Sequence, residues 1–436
     1  MMSSAATIPR AAKWRVLIFP GGTEIGLELR QALAWNKDIQ LFSAGAAVSS
    51  HATCVFERHF AVPPVSDPAW VARLQEVVSA EGITHIFPAH DDVVLALAEQ
   101  GASLSARVVS SPLLTCRIAR SKRQTLEALR GHVPVPRLFP SVAGVERFPV
   151  FVKPDVGQGS YNAARAESPG ELANLLAQDP SRLILEHLEG PEYTVDCFSD
   201  RVEGLLYASG RQRIRIRSGI AMRSSCVEDD RFLEYAQRIG KVLTFHGAWF
   251  FQVKADGAGE LKLLEVAPRI GGTSGLSRAR GVNLPLLSLF EAERIPVVIK
   301  ASAREVSIDR ALVNRFQPIP SYSALYLDLD DTLILRGRVN PEVIKLLFQS
   351  LNRGVKVVLL TRHAGDLGET LRRFRLEGLF DEIVHIRDGR RKGDFIREAD
   401  AILVDDSFAE RAAVQAQTGI AVYDPSMVEA LTDDRV

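Results

Sequence analysis

Cysteine is scarce in this chain. Its 436 residues include four, Cys54, Cys116, Cys197 and Cys226, with no CxxC spacing, which excludes a disulfide-stapled scaffold and a cysteine zinc framework. Scattered thiols of this kind fit a reducing, cytoplasmic setting. A surplus of either charge is also missing: Lys plus Arg and Asp plus Glu are 53 each, so nothing drives general binding to a phosphate backbone, and nucleic acid is not an expected partner. No apolar run reaches the roughly 20 residues of a membrane span, so no membrane partner is expected. The opening MMSSAATIPRAAKW lacks the apolar core of a signal peptide. The histidines show no metal-ligand spacing and are read as structural.

What is present is an ordinary globular balance, 46% hydrophobic and 24% charged, in a chain long enough for two to four domains. After a leader over 1–13, WRVLIFPGG reads as a buried strand ending in a glycine turn, and EIGLELRQALAW has helical spacing. Alternation continues through DIQLFSAG, PAWVARLQEVVSAEG, ITHIFPAH, DDVVLALAEQG and ARVVSS, giving an α/β domain over 14–111. Its FPGGTEIG turn does not satisfy GxGxxG and reads as a substrate-side loop in preference to a dinucleotide site. His90, Asp91 and Asp92 end a strand and begin a helix; they line a cleft there, or Asp91 only caps the helix.

From 112 to 318 the pattern changes to short apolar strands broken by glycine loops, the mark of a mixed antiparallel sheet with flanking helices. The stretch 291–321, with Pro296, Pro318 and Pro320, reads as a linker. Lys122 opens a helix, and Lys153 ends the strand VFVKP before the loop DVGQGS. A cation beside amides freed by Gly157 and Gly159 suits oligophosphate, although the loop is no P-loop and has an ordinary reading as a hairpin. Then come LILEHLEGPEYTVD, RQRIRIRSG and FFQVKADGAGELKLLEVAPRIGG.

In that order of features the chain resembles the ATP-grasp superfamily, in the branch that includes carbamoyl phosphate synthase and D-alanine–D-alanine ligase. The resemblance spans about 14–317, with the first α/β domain similar to the family's preceding domain. It implies ATP held at its phosphates by Lys122 and Lys153 under a lid formed by Gly157, Gly159 and Ser160. Glu186 and Leu188 would sit at the adenine hinge and Glu192 on the ribose. It also implies Mg²⁺ on Gln252 and Glu265, which are 13 residues apart, as a hairpin turning at ADGAGE requires. Ala267 stands where family members usually have Asn, leaving one metal weakly held. Arg269 resembles the arginine that steadies the transferring phosphoryl group or the substrate carboxylate. Arg215 and Arg217 either join it or form a solvated basic face. The implied chemistry joins a small-molecule carboxylate to an amine, or a related nucleophile, through an acyl phosphate.

Alternation returns over 319–436 with ALYLDLDDTLI, PEVIKLLFQSLNRG, VKVVLLT and AILVDD. Alternate positions on an extended strand point the same way, so Asp328 and Asp330 are expected to converge on one centre. Thr361, Lys392 and the pair Asp405 and Asp406 follow in sequence. These motifs resemble the haloacid dehalogenase superfamily, whose domain is Rossmann-like. The resemblance implies Asp328 as nucleophile forming an aspartyl phosphate, Asp330 as general acid and base, and Thr361 and Lys392 on the phosphate. Asp328, Asp330, Asp405 and Asp406 would hold Mg²⁺. Thr332 and Thr361 are 29 residues apart, which leaves no room for a cap domain.

The expectation is therefore an α/β multidomain, bifunctional cytoplasmic enzyme, an ADP-forming ATP-grasp ligase fused to an Mg²⁺-dependent phosphatase acting on a phosphorylated substrate. Ligases of this type are often homodimers. The alternative is a phosphatase whose ATP-grasp region binds nucleotide or substrate without ligase turnover.

Overall fold

A computed structural model describes residues 12–47, 50–157, 159 and 162–435. The chain divides into two compact units, 1–312 and 313–436. Among the described residues no helix is long and apolar enough to cross a membrane.

The first unit begins with a parallel five-stranded sheet. Its order is His59–Ala61, Ile39–Gly45, Trp14–Phe19, His85–Pro88 and Arg107–Val108. Val16, Leu17, Ile18 and Phe19 are all buried, so the central strand is apolar on both faces, as a covered parallel sheet requires. Two helices start at the carboxyl ends of these strands. Thr23 caps Glu24–Leu33 by accepting from the Gly26 amide at 3.0 Å, and His90 caps Asp91–Gln100 through its ring nitrogen and the Asp92 amide at 3.2 Å.

Two antiparallel sheets follow. A small one has the order Leu138–Phe139, Leu183–Glu186, Val150–Lys153 and Ala164–Ala166. A larger one runs Leu261–Ala267, Gly247–Ala255, Glu192–Asp200, Gly204–Arg217, Ile220–Val227 and Ser307–Asp309. Helix Asp230–Val242 buries Phe232, Tyr235, Ala236 and Ile239 in the core beneath the larger sheet. Gly210 makes that contact possible, because a Cβ there would lie 2.1 Å from the Phe232 ring. The last strand lies within the stretch read as a linker over 291–321: Ser307–Asp309 pairs with Ser225, Ser224 and Arg223, and the boundary of the two units at 312/313 falls in the same stretch. Three residues are too few for an alternating pattern to show in the sequence.

The second unit is a parallel sheet in the order Glu382–His385, Lys356–Thr361, Ala324–Leu327, Ile402–Val404 and Ala421–Tyr423. The helices Pro341–Asn352, Leu367–Arg373 and Phe408–Thr418 connect its strands. The three central strands end at Leu327, Thr361 and Val404, and open parallel sheets build their sites at such carboxyl ends.

Candidate functional site

In the first unit two cavities share a wall. The smaller, about 160 Å³, is lined by apolar Phe151, Leu185 and Leu188 and by charged Lys122, Lys153 and Glu265. The larger, about 590 Å³, lies between the sheet of the first domain and the larger antiparallel sheet, with His90, Asp91, Arg269 and Arg310 in its lining. Gly157, Gly159, Arg213, Gly219, Gln252 and Glu265 line both.

Lys153 ends its strand facing inward and is almost fully buried, with Nζ 3.4 Å from the Leu264 carbonyl. Burial holds its pKa down to about 8, with Glu265 opposing and Lys122 adding to the depression. Lys122, capped into its helix by Ser121, donates to the Gly157 carbonyl at 2.9 Å, and burial lowers its pKa too, against the pull of Glu265. A cavity that combines apolar side chains with two ammonium groups and a carboxylate suits a ligand made of a base and phosphates.

The loop after Lys153 comes very close to the turn at Gly219. A Cβ on Gly219, whose φ is +74°, would stand 2.1 Å from the Gly159 carbonyl carbon, so only glycine permits this approach. Ser160, expected beside Gly157 and Gly159, lies outside the described residues.

Glu186 lines the smaller cavity, but its carboxylate is engaged by the Lys262 ammonium at 2.6 Å and the Arg137 amide at 3.0 Å. Its amide is also used, donating to the Arg137 carbonyl at 2.9 Å, and the buried Leu188 adds apolar lining. His187 between them also lines the cavity, with Nδ1 buried and without a hydrogen-bond partner among the described residues. Glu192 accepts from Arg213 at 2.5 Å.

Gln252 and Glu265 are directly paired across their hairpin. The Gln252 amide oxygen accepts from Arg213 at 2.8 Å, which leaves Glu265 as the charged oxygen ligand of the pair. Ala267 is buried and adds no donor. This set fits one Mg²⁺ held by a single carboxylate together with phosphate oxygens.

Arg213 is the arginine the sequence reading missed. The strand Gly204–Arg217 carries register shifts at Arg213/Arg215 and Arg215/Ile216, and these irregularities break the alternation that RIRIR displays. Arg211 and Arg213 therefore reach the cavity, whereas Arg215 is exposed and pairs with Asp309, and Arg217 is exposed. Arg211 is buried against Asp196 and donates to Thr273 Oγ1 at 2.8 Å. Arg269 grips Asp91, with Nε to Oδ1 at 2.6 Å, and lies over the Phe250 ring. Asp91 thus lies in the cleft as well as in the first turn of its helix.

In the second unit Lys392 Nζ lies 2.7 Å from Asp328 Oδ1 and 2.6 Å from Asp405 Oδ2, all three side chains being buried. Asp328, Asp405 and Asp406 place carboxylate oxygens within 4.8 Å of one another. Burial pushes Asp328 up to about 6 against the pull of Lys392, and burial with the nearby Asp405 raises Asp406. Two carboxylates on one ammonium, with Asp406 beside them, leave excess negative charge, and hard oxygens of this kind fit Mg²⁺. Thr361 is fully buried, its hydroxyl accepting from the His363 amide at 3.1 Å. Thr332 Oγ1 accepts from the Asp406 amide at 2.9 Å.

As a Mg²⁺ ligand, Asp330 is a correction. Its side chain is half exposed and lies outside the carboxylate cluster, 2.9 Å from His363 Nδ1. The regular strand stops at Leu327, so the period-two alternation does not extend across 328–330. His363 in turn meets Thr370 Oγ1 through Nε2 at 2.9 Å. It stands on the loop after Thr361, where no periodicity marks it.

Residues 178–312 match a family model described as ATP-grasp in the biosynthetic pathway with Ter operon. A comparison with curated proteins gives no match. Among solved structures, the chain is similar to the biotin carboxylase domain of Hydrogenobacter thermophilus 2-oxoglutarate carboxylase, in complex with MgADP, ADP and bicarbonate. The TM-score is 0.55 at 14% identity over 67% of this chain and 72% of that one. It is also similar to an ADP complex of N5-carboxyaminoimidazole ribonucleotide synthetase, with TM-score 0.56 and 14% identity over 68% and 81% of the two chains. For the L-amino acid ligase of Bacillus licheniformis the TM-score is 0.52, at 16% identity over 72% and 82%. At these identities the likeness is one of fold, and the fold it shows is ATP-grasp.

Proposed function

We propose that the first unit is an ADP-forming carboxylate–amine ligase and that the second is a phosphohydrolase. The observation that carries the first reading is the shared wall of the two cavities. A nucleotide in the smaller one would present its terminal phosphate at Gln252 and Glu265, where the larger cavity opens onto the same residues. A substrate carboxylate there would attack the γ-phosphorus, with ADP leaving, and an amine would then displace phosphate from the acyl phosphate. Lys122, Lys153 and Arg213 would offset the charge on the transferring group, which needs positioning and electrostatics more than a protein nucleophile. Mg²⁺ would be held by Glu265 and would supply charge neutralisation at the phosphates. The L-amino acid ligase and the nucleotide-bound neighbours support this reading by their fold and printed ligands. The test is ADP release from Mg·ATP with acids and amines offered singly and in pairs. Release that requires one of each supports the ligase.

A second reading, nucleotide binding without ligation, is favoured by Ala267, which removes one ligand from the metal edge. Under it, wild type releases no ADP and Ala267→Asn gains that activity.

For the second unit, the buried Asp328 beside Lys392 supports a carboxylate nucleophile. Asp328 Oδ would attack the phosphate ester, the leaving oxygen taking its proton from Asp330, and water deprotonated by Asp330 would cleave the aspartyl phosphate. Thr361 and Lys392 would bind the phosphoryl oxygens. Asp328, Asp405 and Asp406 would hold Mg²⁺, whose charge reduces repulsion between the ester and Asp328. Hydrolysis of p-nitrophenyl phosphate, lost in Asp328→Asn, tests it.

A further inference from the structure

Five arginines line the larger cavity of the first unit: Arg120, Arg211, Arg213, Arg269 and Arg310. Four have acidic partners. Arg120 pairs with Asp92, Arg211 with Asp196, Arg213 with Glu192, and Arg269 with Asp91. Arg310 has neither an ion pair nor a side-chain hydrogen bond among the described residues. The nearby Glu28 feels its charge, but that carboxylate is taken by Arg278 at 3.1 Å. A guanidinium held in a cavity wall with no counter-charge is a site for an anion.

Arg310 is also held in place. Its amide donates to the Met222 carbonyl at 2.8 Å, continuing the ladder of Ser307–Asp309 on Ile220–Val227. Its guanidinium lies beside the Gly272 backbone, a Cβ built there standing 3.4 Å from NH1, an ordinary contact distance. Position matters as well: Arg310 lines only the larger cavity and is absent from the wall that both cavities share. The group it binds is therefore separate from the carboxylate presented to the nucleotide.

We infer that Arg310 is a specificity residue that binds a second anionic group, carboxylate or phosphate, on the acid substrate. This rests on the ligase reading for the role of the first carboxylate. The planar fork accepts either anion with two parallel hydrogen bonds, and a cavity of about 590 Å³ has room for a dianionic acid.

The test is isothermal titration of the full chain, loaded with Mg²⁺ and a non-hydrolysable ATP analogue, with matched acids: butyrate against succinate, and glycolate against phosphoglycolate. A dianion is expected to bind about tenfold or more tighter than its monoanionic partner, the scale of a charge-assisted pair. Arg310→Ala is expected to erase that preference and Arg310→Lys to keep part of it, both leaving affinity for the nucleotide analogue unchanged. Preference for succinate identifies a carboxylate, and preference for phosphoglycolate a phosphate. Equal binding of monoanions and dianions, a preference that survives Arg310→Ala, or failure of both dianions to bind overturns the inference. ADP release measured on the same panel separates the two claims. Arg310-dependent dianion binding without ADP release defeats the ligase and leaves the site standing. ADP release that ignores Arg310 defeats the site and leaves the ligase.

Discussion

Arg269 and Asp91 form a two-point ion pair, Nε to Oδ1 at 2.6 Å and NH2 to Oδ2 at 2.7 Å, across 178 residues of sequence. It ties the helix Asp91–Gln100 to the segment that follows the strand Leu261–Ala267, and both residues line the larger cavity. Burial raises the Asp91 pKa, but Arg269 more than offsets it and leaves the carboxyl below its ordinary value.

Asp91→Asn is expected to destabilise the first unit by about 3 kcal/mol, because it leaves the Arg269 charge without its partner in a largely desolvated place. Thermal unfolding reads the loss. Since a depressed carboxyl contributes stability that disappears as pH falls through its folded pKa, the gap between wild type and Asp91→Asn should close below about pH 4.

Lys153 gives a pH dependence of opposite sense. With its pKa at about 8 against an ordinary 10.5, the unfolded chain binds the extra proton between those values, so this group's contribution to stability rises with pH across that window. Affinity for ATP should move the other way, falling as pH passes about 8 and the ammonium is lost. Titrating a non-hydrolysable ATP analogue from pH 7 to 9.5 checks this. Lys153→Met should bind weakly throughout, with a flatter profile.

Lys392 holds Asp328 and Asp405 together, so Lys392→Met should abolish turnover of p-nitrophenyl phosphate and destabilise the second unit at neutral pH. Acidification that protonates the freed carboxylates should recover part of that stability, which unfolding at pH 5 and pH 7.5 would show.

His363 positions Asp330 and is itself steadied by Thr370. His363→Ala is expected to slow the phosphatase about tenfold to a hundredfold through kcat with little change in KM. His363→Asn, which keeps a short donor, should restore part of the rate.

Where a functional group ends an apolar strand, the sequence displays it. VFVKP and VVLLT carry Lys153 and Thr361 at the point where buried residues give way to polar ones, and the structure puts both at strand ends. RIRIR misleads because the register shifts after Arg213 turn the alternation around, so Arg213 reaches the cavity and Arg215 the solvent. DLD misleads for a related reason, since the strand stops at Leu327 and Asp330 turns to His363. Arg310 follows a three-residue strand in a proline-containing stretch, too short to announce itself. The Asp91–Arg269 pair depends on tertiary contact between distant segments, which local periodicity does not encode.

The central claim, that a carboxylate is activated by ATP at the shared wall of the two cavities, is tested most directly by trapping. Asp328→Asn protein, free of phosphatase background, is incubated with Mg·ATP, hydroxylamine and a panel of carboxylic acids. An acyl phosphate would be captured as the hydroxamate, equimolar with the ADP released and abolished by Glu265→Ala. ADP without hydroxamate, or neither product across the panel while nucleotide still binds, would contradict the account.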